Sequence, residues 1–149
     1  MRLTTEEEKQ FREIADKIIQ APSYQPMKTY VQHGYVTTYE HCLRVARCAF
    51  WMNLRMHTNE TDKEIIQAAL LHDYYLYDWH QKGHRLHGYR HPDLAAENAR
   101  RDFEISDRVE TAIRTHMWPL TLRRFPRSRV GWLLTVADKI CSCRETIFR

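Results

Sequence analysis

The chain has 149 residues, 43% hydrophobic and 28% charged, with a formal net charge of +4; that profile fits one soluble globular domain over residues 1–149 and leaves no room for a second. The basic excess suits a small anionic partner and is too weak to argue for nucleic acid. The start, MRLTTEEEKQFREI, lacks the apolar run of a signal peptide, and no window approaches the roughly 18 uncharged residues of a membrane span, so a cytoplasmic protein with no membrane partner is expected.

Glycine and proline are scarce and no alternating Val/Thr-rich run occurs, so the periodicity is helical and the expected fold is all-α, a compact bundle of about six helices. Thr5 with Glu8 makes a capping-box pattern for a first helix, with Phe11, Ile14, Ile18 and Ile19 on one face and Pro22 at its end. A polar, aromatic-rich connector follows. Thr37 or Thr38 caps a second helix running to about His57, with Val45, Cys48, Ala49 and Met52 inward. Thr61 caps a third, which carries Ile65, Ala68, Ala69 and Leu71 up to His72 and Asp73. Tyr74 to Arg90 reads as a long loop of aromatic and basic residues, a length that usually serves function. Pro92 suits the first position of a fourth helix ending near Asp102. A fifth starts at Ser106, reaches His116 and stops at Pro119, and the last runs from about Ser128. Cys42, Cys48, Cys141 and Cys143 all fall in helical stretches with no disulfide framework, so reduced thiols are expected.

Several helices carry a metal-binding side chain on the face that should meet the core. His72 follows Ile65 and Ala68 on the buried stripe, whereas Asp73 projects about 100° away around the axis. His41 precedes Val45 and Cys48 on the inward face of its helix, and His116 completes the stripe of Val109, Ala112 and Ile113. Asp138 shares the face of Leu134 and Cys141, a costly place for a carboxylate without a cation. His91 lies at the mouth of the basic loop. Any one histidine has an ordinary explanation as a hydrogen-bonded core side chain; six such positions need six coincidences, and one metal centre accounts for all of them. Imidazole and carboxylate without a thiolate cluster suit Mn, Fe, Zn, Ni or Co.

The order His41, His72-Asp73, Asp138 resembles the pattern of the HD-domain superfamily of metal-dependent phosphohydrolases, and the likeness runs from about Thr37 to Glu145. The stretches LYDWH and HMWPL are similar to a small bacterial branch of these hydrolases. The resemblance implies that His41, His72, Asp73 and Asp138 hold a first divalent metal and that His91 and His116 hold a second, with Asp73 bridging. A lysine often follows the His-Asp step by three residues; Leu76 stands there in this chain.

Two cations about 3.5–4 Å apart can share a carboxylate and a hydroxide and hold phosphoryl oxygens as charge develops. A phosphomonoesterase or phosphodiesterase is therefore expected, with a nucleotide among the candidate substrates and Asp73 as the central catalytic residue. Lys82, Arg85 and Arg90 are candidates for neutralising the small phosphorylated substrate, and His80, His84 or His87 for the leaving-group acid. Asp78 is a candidate for orienting a ligating histidine. Trp118 could stack on a base and Arg123, Arg124, Arg127 and Arg129 could meet phosphates, but packing and a solvated surface are their ordinary roles. Two other readings use the same residues: a di-iron oxygenase of the same superfamily, and a non-catalytic ligand-binding module.

Overall fold

The computed structural model describes residues 2–80 and 86–147. Helix α1 (Thr5–Ile19) opens on Thr4, whose hydroxyl accepts from the Glu7 backbone while the Glu7 carboxylate accepts from the Thr4 N–H. The cap sits one residue earlier than the sequence pattern suggests. Thr5 also has a glutamate three residues on, but Glu8 is taken by the two guanidinium nitrogens of Arg47, at 2.9 and 2.7 Å. Helix α2 (Thr38–Met56) is closed by a second capping box between Thr37 and Glu40, and ends on His57 in the left-handed region at φ 49°.

Helix α3 (Asp62–Leu71) is the centre of the bundle. Every residue from Ile65 to Leu71 is buried, because α1, α2, α5 and α6 pack around it. Burying a Leu or Ile side chain contributes about 1.5–3 kcal/mol, so this short helix is held by its surroundings rather than by propensity. Its C-terminal end is pinned by the 3-10 segment Pro22–Lys28, where Tyr24 donates its hydroxyl to the Leu70 carbonyl at 2.6 Å and stacks on Tyr74. Tyr74 in turn bonds to the Ser23 carbonyl and to Asp102, and Asn98 holds the Tyr74 carbonyl. The segment that follows α3 is thus fixed from two sides.

The connector before α2 also contains a small antiparallel hairpin, β1 (Val31–His33) with β2 (Val36–Thr37), turning at Gly34 with φ 60°. Strands of three and two residues are too short to show alternation, which is why the sequence reads there as plain connector. The hairpin lies against α2 and α6.

Helix α4 spans His87–Asp102, so Pro92 lies inside it rather than at its first position. Proline's preference for a helix start misplaces that boundary by about one and a half turns. The real first turn is stabilised by backbone bonds from Tyr89 and Arg90 to the Leu86 carbonyl. Helices α5 (Asp107–Thr115, capped by Ser106) and α6 (Arg129–Ile147) close the bundle. The fold is all-α apart from the hairpin, and no helix among the described residues is long and apolar enough to cross a membrane.

Candidate metal centre

Helix α3 stops at His72, which caps it, and Asp73 falls in the turn beyond. The sequence pattern carries the helix through both residues; His72 keeps helical dihedrals, so Asp73 still leaves the axis about one helical step away from it. His72 turns its Nδ1 back to the Ala69 carbonyl at 2.8 Å. His116 does the same at the end of α5, with Nδ1 on the Ile113 carbonyl at 2.7 Å. The last carbonyls of a helix lack an intrahelical donor, so a histidine at the cap satisfies one of them and fixes its own ring. His91, within α4, bonds Nδ1 to the His87 carbonyl at 2.9 Å. His41, on α2, bonds Nδ1 to Oε2 of Glu145 at 2.8 Å, and Arg44 holds the other Glu145 oxygen at 3.1 Å.

Those four acceptors fix the tautomers. A neutral imidazole that donates from Nδ1 presents a lone pair at Nε2, and all four Nε2 atoms converge on two carboxylates; at His41 that lone pair becomes available once a cation displaces the proton its carboxylate neighbours favour. Asp73 Oδ2 lies 3.4 Å from His72 Nε2 and 3.8 Å from His41 Nε2. Its Oδ1 lies 3.1 Å from His91 Nε2 and 3.7 Å from His116 Nε2. Asp138 Oδ1 is 3.2 Å from His41 Nε2 and 3.8 Å from His72 Nε2. His41, His72, Asp73, His91, His116 and Asp138 are each no more than 5% exposed. The structure therefore brings together all six residues singled out in the sequence, in two sets that share Asp73.

The electrostatics ask for positive charge at the centre. His91 and His116 face each other Nε2 to Nε2 at 3.1 Å, both with their protons committed to Nδ1. His72 Nε2 and Asp73 Oδ1 are buried without a hydrogen-bond partner. Unpaired polar atoms of this kind are costly in a protein interior. Burial works against both carboxylates, yet the surrounding imidazoles hold Asp73 and Asp138 well below the usual range. Burial, followed by the charges of His72 and His91, depresses His116 to about 3. His41 moves the other way: burial opposes its protonation, but Asp138, Glu145 and Asp73 outweigh it and push it to about 10. Two three-donor groups, His41–His72–Asp138 and His72–Asp73–His116, are each compact enough to hold a divalent cation, but they overlap at His72, whose one free nitrogen can serve only one of them; the distances from the two Asp73 oxygens therefore divide the cluster, with His72 on the His41 side.

A family model described as HD domain matches residues 38–142. The chain belongs to the HD domain family. No curated protein and no solved structure matched the chain. HD domains are in general metal-dependent hydrolases that bind divalent metals, and the donor set of this HD domain is imidazole and carboxylate throughout.

Three residues that support the centre escape the sequence reading. Gln32 on the hairpin donates to Asp73 Oδ2 at 2.6 Å and accepts from the Tyr75 hydroxyl. Nothing local marks it, since its partner is 41 positions away. Glu145 had a signal, lying two helical turns after Asp138 on the same face. Lys139, next to Asp138, brings its ammonium to Asp138 Oδ2 at 2.7 Å and stays partly exposed.

Of the other residues singled out, Asp78 accepts from the His80 backbone at 3.0 Å and lies against the His80 ring; the acceptors on the four converging Nδ1 atoms are three carbonyls and Glu145. His80 and Arg90 are exposed, Arg90 on the first turns of α4. His87 stacks on His91 and on Trp79, and its Nδ1 meets the Tyr77 hydroxyl at 2.7 Å. Lys82, His84 and Arg85 lie outside the described residues. Leu76 packs against the core from a left-handed backbone at φ 60°. Trp118 packs edge-to-face on Trp132, and Arg124 pairs with Asp93. Cys141 is buried and Cys143 exposed, as their two-residue spacing on α6 requires.

Proposed function

We propose that this HD domain is a metal-dependent phosphohydrolase that cleaves a small phosphomonoester or phosphodiester. His41, His72, Asp73 and Asp138 would hold one divalent cation, and Asp73, His91 and His116 a second. Bound cations of this kind supply Lewis-acid stabilisation of phosphoryl oxygens and bring the pKa of a coordinated water toward neutrality.

The observation that carries the reading is the Asp73 carboxylate, whose two oxygens face two different pairs of imidazole Nε2 atoms. A side chain so placed joins two sites rather than serving one. Gln32 keeps the carboxylate from rotating by donating to Oδ2. Glu145 enforces the Nδ1–H tautomer of His41 and, being an anion, makes Nε2 a stronger donor of its lone pair. Lys139 carries a positive charge beside the centre while remaining partly in solvent, which suits contact with an incoming phosphoryl oxygen. Arg90, with Lys82 and Arg85 of the preceding segment, is the other proposed source of charge for the substrate. His87 is the candidate for protonating the leaving oxygen, since it stacks directly on His91.

The test is a screen of phosphomonoesters, phosphodiesters and nucleotides with the protein reconstituted in turn with Mn, Co, Ni, Zn and Fe, reading phosphate or alcohol release beside metal content. Release that depends on added metal and vanishes in Asp73→Ala is expected. Oxygen consumption with iron and no phosphate release would overturn the assignment in favour of an oxygenase.

A further inference from the structure

We infer that the protein has a second ligand site, separate from the metal centre, that takes a multiply charged anion carrying a planar ring. A cavity of about 1010 Å³ lies between the N-terminal end of α1, the outer faces of α2 and α6, and the tip of the hairpin. Ligand pockets for small molecules span roughly 300–1,000 Å³, so the volume admits a ligand the size of a nucleotide.

Its lining mixes charge and apolar surface. Four arginines, Arg2, Arg44, Arg47 and Arg144, contribute to it. Only Glu8 and Glu145 stand against them in the cavity, and both are committed: Glu8 to Arg47 as a two-pronged pair, Glu145 to Arg44 and His41. Arg2 and Arg144 form no salt bridge among the described residues, and both are exposed to the cavity. Guanidinium groups present planar pairs of N–H donors, the geometry that matches phosphate and carboxylate oxygens. Apolar side chains are interleaved with these arginines: Leu3 follows Arg2, Cys48 and the half-buried Trp51 share α2 with Arg44 and Arg47, Cys141 lies one turn before Arg144 on α6, and Val36 and Tyr35, the latter 98% exposed, come from the hairpin. A ligand that placed a ring against Trp51 and its charges against Arg2 and Arg144 would use both kinds of lining.

The cavity is not a branch of the metal centre. Glu145 lines it, and the path from there to Asp138 runs through the Glu145–His41 hydrogen bond and the buried His41 ring. None of the six converging residues lines the chamber, so binding there is read separately from phosphate release, although Glu145 and Arg44 border both.

Titration of the full-length protein with ADP, pyrophosphate and adenosine, followed by calorimetry and tryptophan fluorescence, tests the inference. ADP is expected to bind, with either fragment weaker, and Arg144→Ala or Arg2→Ala should each weaken ADP by about tenfold, the loss of one charge-assisted contact. The fluorescence change should disappear in Trp51→Phe, and ADP affinity should be unchanged in Asp73→Asn. Absence of ADP binding at millimolar concentration would overturn the site. So would binding that is lost in Asp73→Asn and insensitive to both arginine substitutions, because the ligand then sits at the metals. If Asp73→Asn does not fold, by circular dichroism, the Trp51→Phe titration decides: a fluorescence change that persists without Trp51 removes the chamber from the account. Phosphate release by the wild-type protein reads the proposed hydrolase activity separately.

Discussion

The two halves of the candidate metal centre are built to different standards. His41, His72 and Asp138 come from α2, α3 and α6, the helices around which the core is organised, and their support includes a buried carboxylate, Glu145, itself held by Arg44. His91 and His116 come from α4 and α5, and the Nδ1 atoms of both rely on main-chain carbonyls alone. His91 also leans on a stack of aromatic rings, His87 and Trp79, beside the segment that leads into α4. A carboxylate partner raises the basicity of an imidazole more than a carbonyl does, so the first half should grip a cation more tightly. One half is a fixture of the core, and the other is the half expected to exchange its cation first.

Removing what the halves share has the largest effect. Asp73→Ala should lower turnover by roughly three orders of magnitude with the helical circular dichroism intact; appreciable residual turnover would show that the halves do not depend on a common carboxylate. Next, His91→Ala or His116→Ala should halve the bound metal measured by plasma emission and leave the first half loaded. Unchanged stoichiometry would mean a single-metal site. In the wild type, a chelator titration should strip metal in two steps, the His91–His116 half first, and a single step would erase the distinction. Glu145→Gln should weaken metal affinity of the first half by about 10–100-fold and leave the second half alone; equal weakening of both would contradict the assigned asymmetry. The smallest effect concerns the mount rather than the ligands. Tyr24→Phe leaves the Leu70 carbonyl at the end of α3 without its donor, a loss of about 1–2 kcal/mol. The measurement is the midpoint of urea unfolding with unchanged slope, and no shift would show that the 3-10 segment does not brace α3.

Much of this was legible in the residues because the signals were local. Thr37 and Thr61 with their helices, Ser106 before α5, the inward stripe that begins at His41 and the one that ends in His116 all follow from caps and periodicity. The parts that escaped depend on long-range partners. Thr4 rather than Thr5 became the cap because Arg47, on another helix, claims Glu8. The start of α4 lies at His87 because the first turn tolerates a glycine and its bonds to Leu86 outweigh the proline cue. Gln32 sits on a hairpin too short to announce itself, and its role exists only once Asp73 is folded against it. The six converging residues could be singled out from their spacing, and their proposed ligand roles put forward from the family resemblance, but which Nε2 faces which oxygen could not be read from either.

The termination of α3 at His72 has a consequence for how such a centre can change. Because His72 caps the helix and Asp73 follows it directly, His72 reaches the His41 and Asp138 side while its neighbour spans from there to His91, without any detour of backbone. Lengthening α3 by a single residue before His72 would swing both side chains around the axis by about 100° and dissolve the meeting point, even with every imidazole and carboxylate retained. Helix length at that spot is therefore as strict a requirement as the identity of any donor.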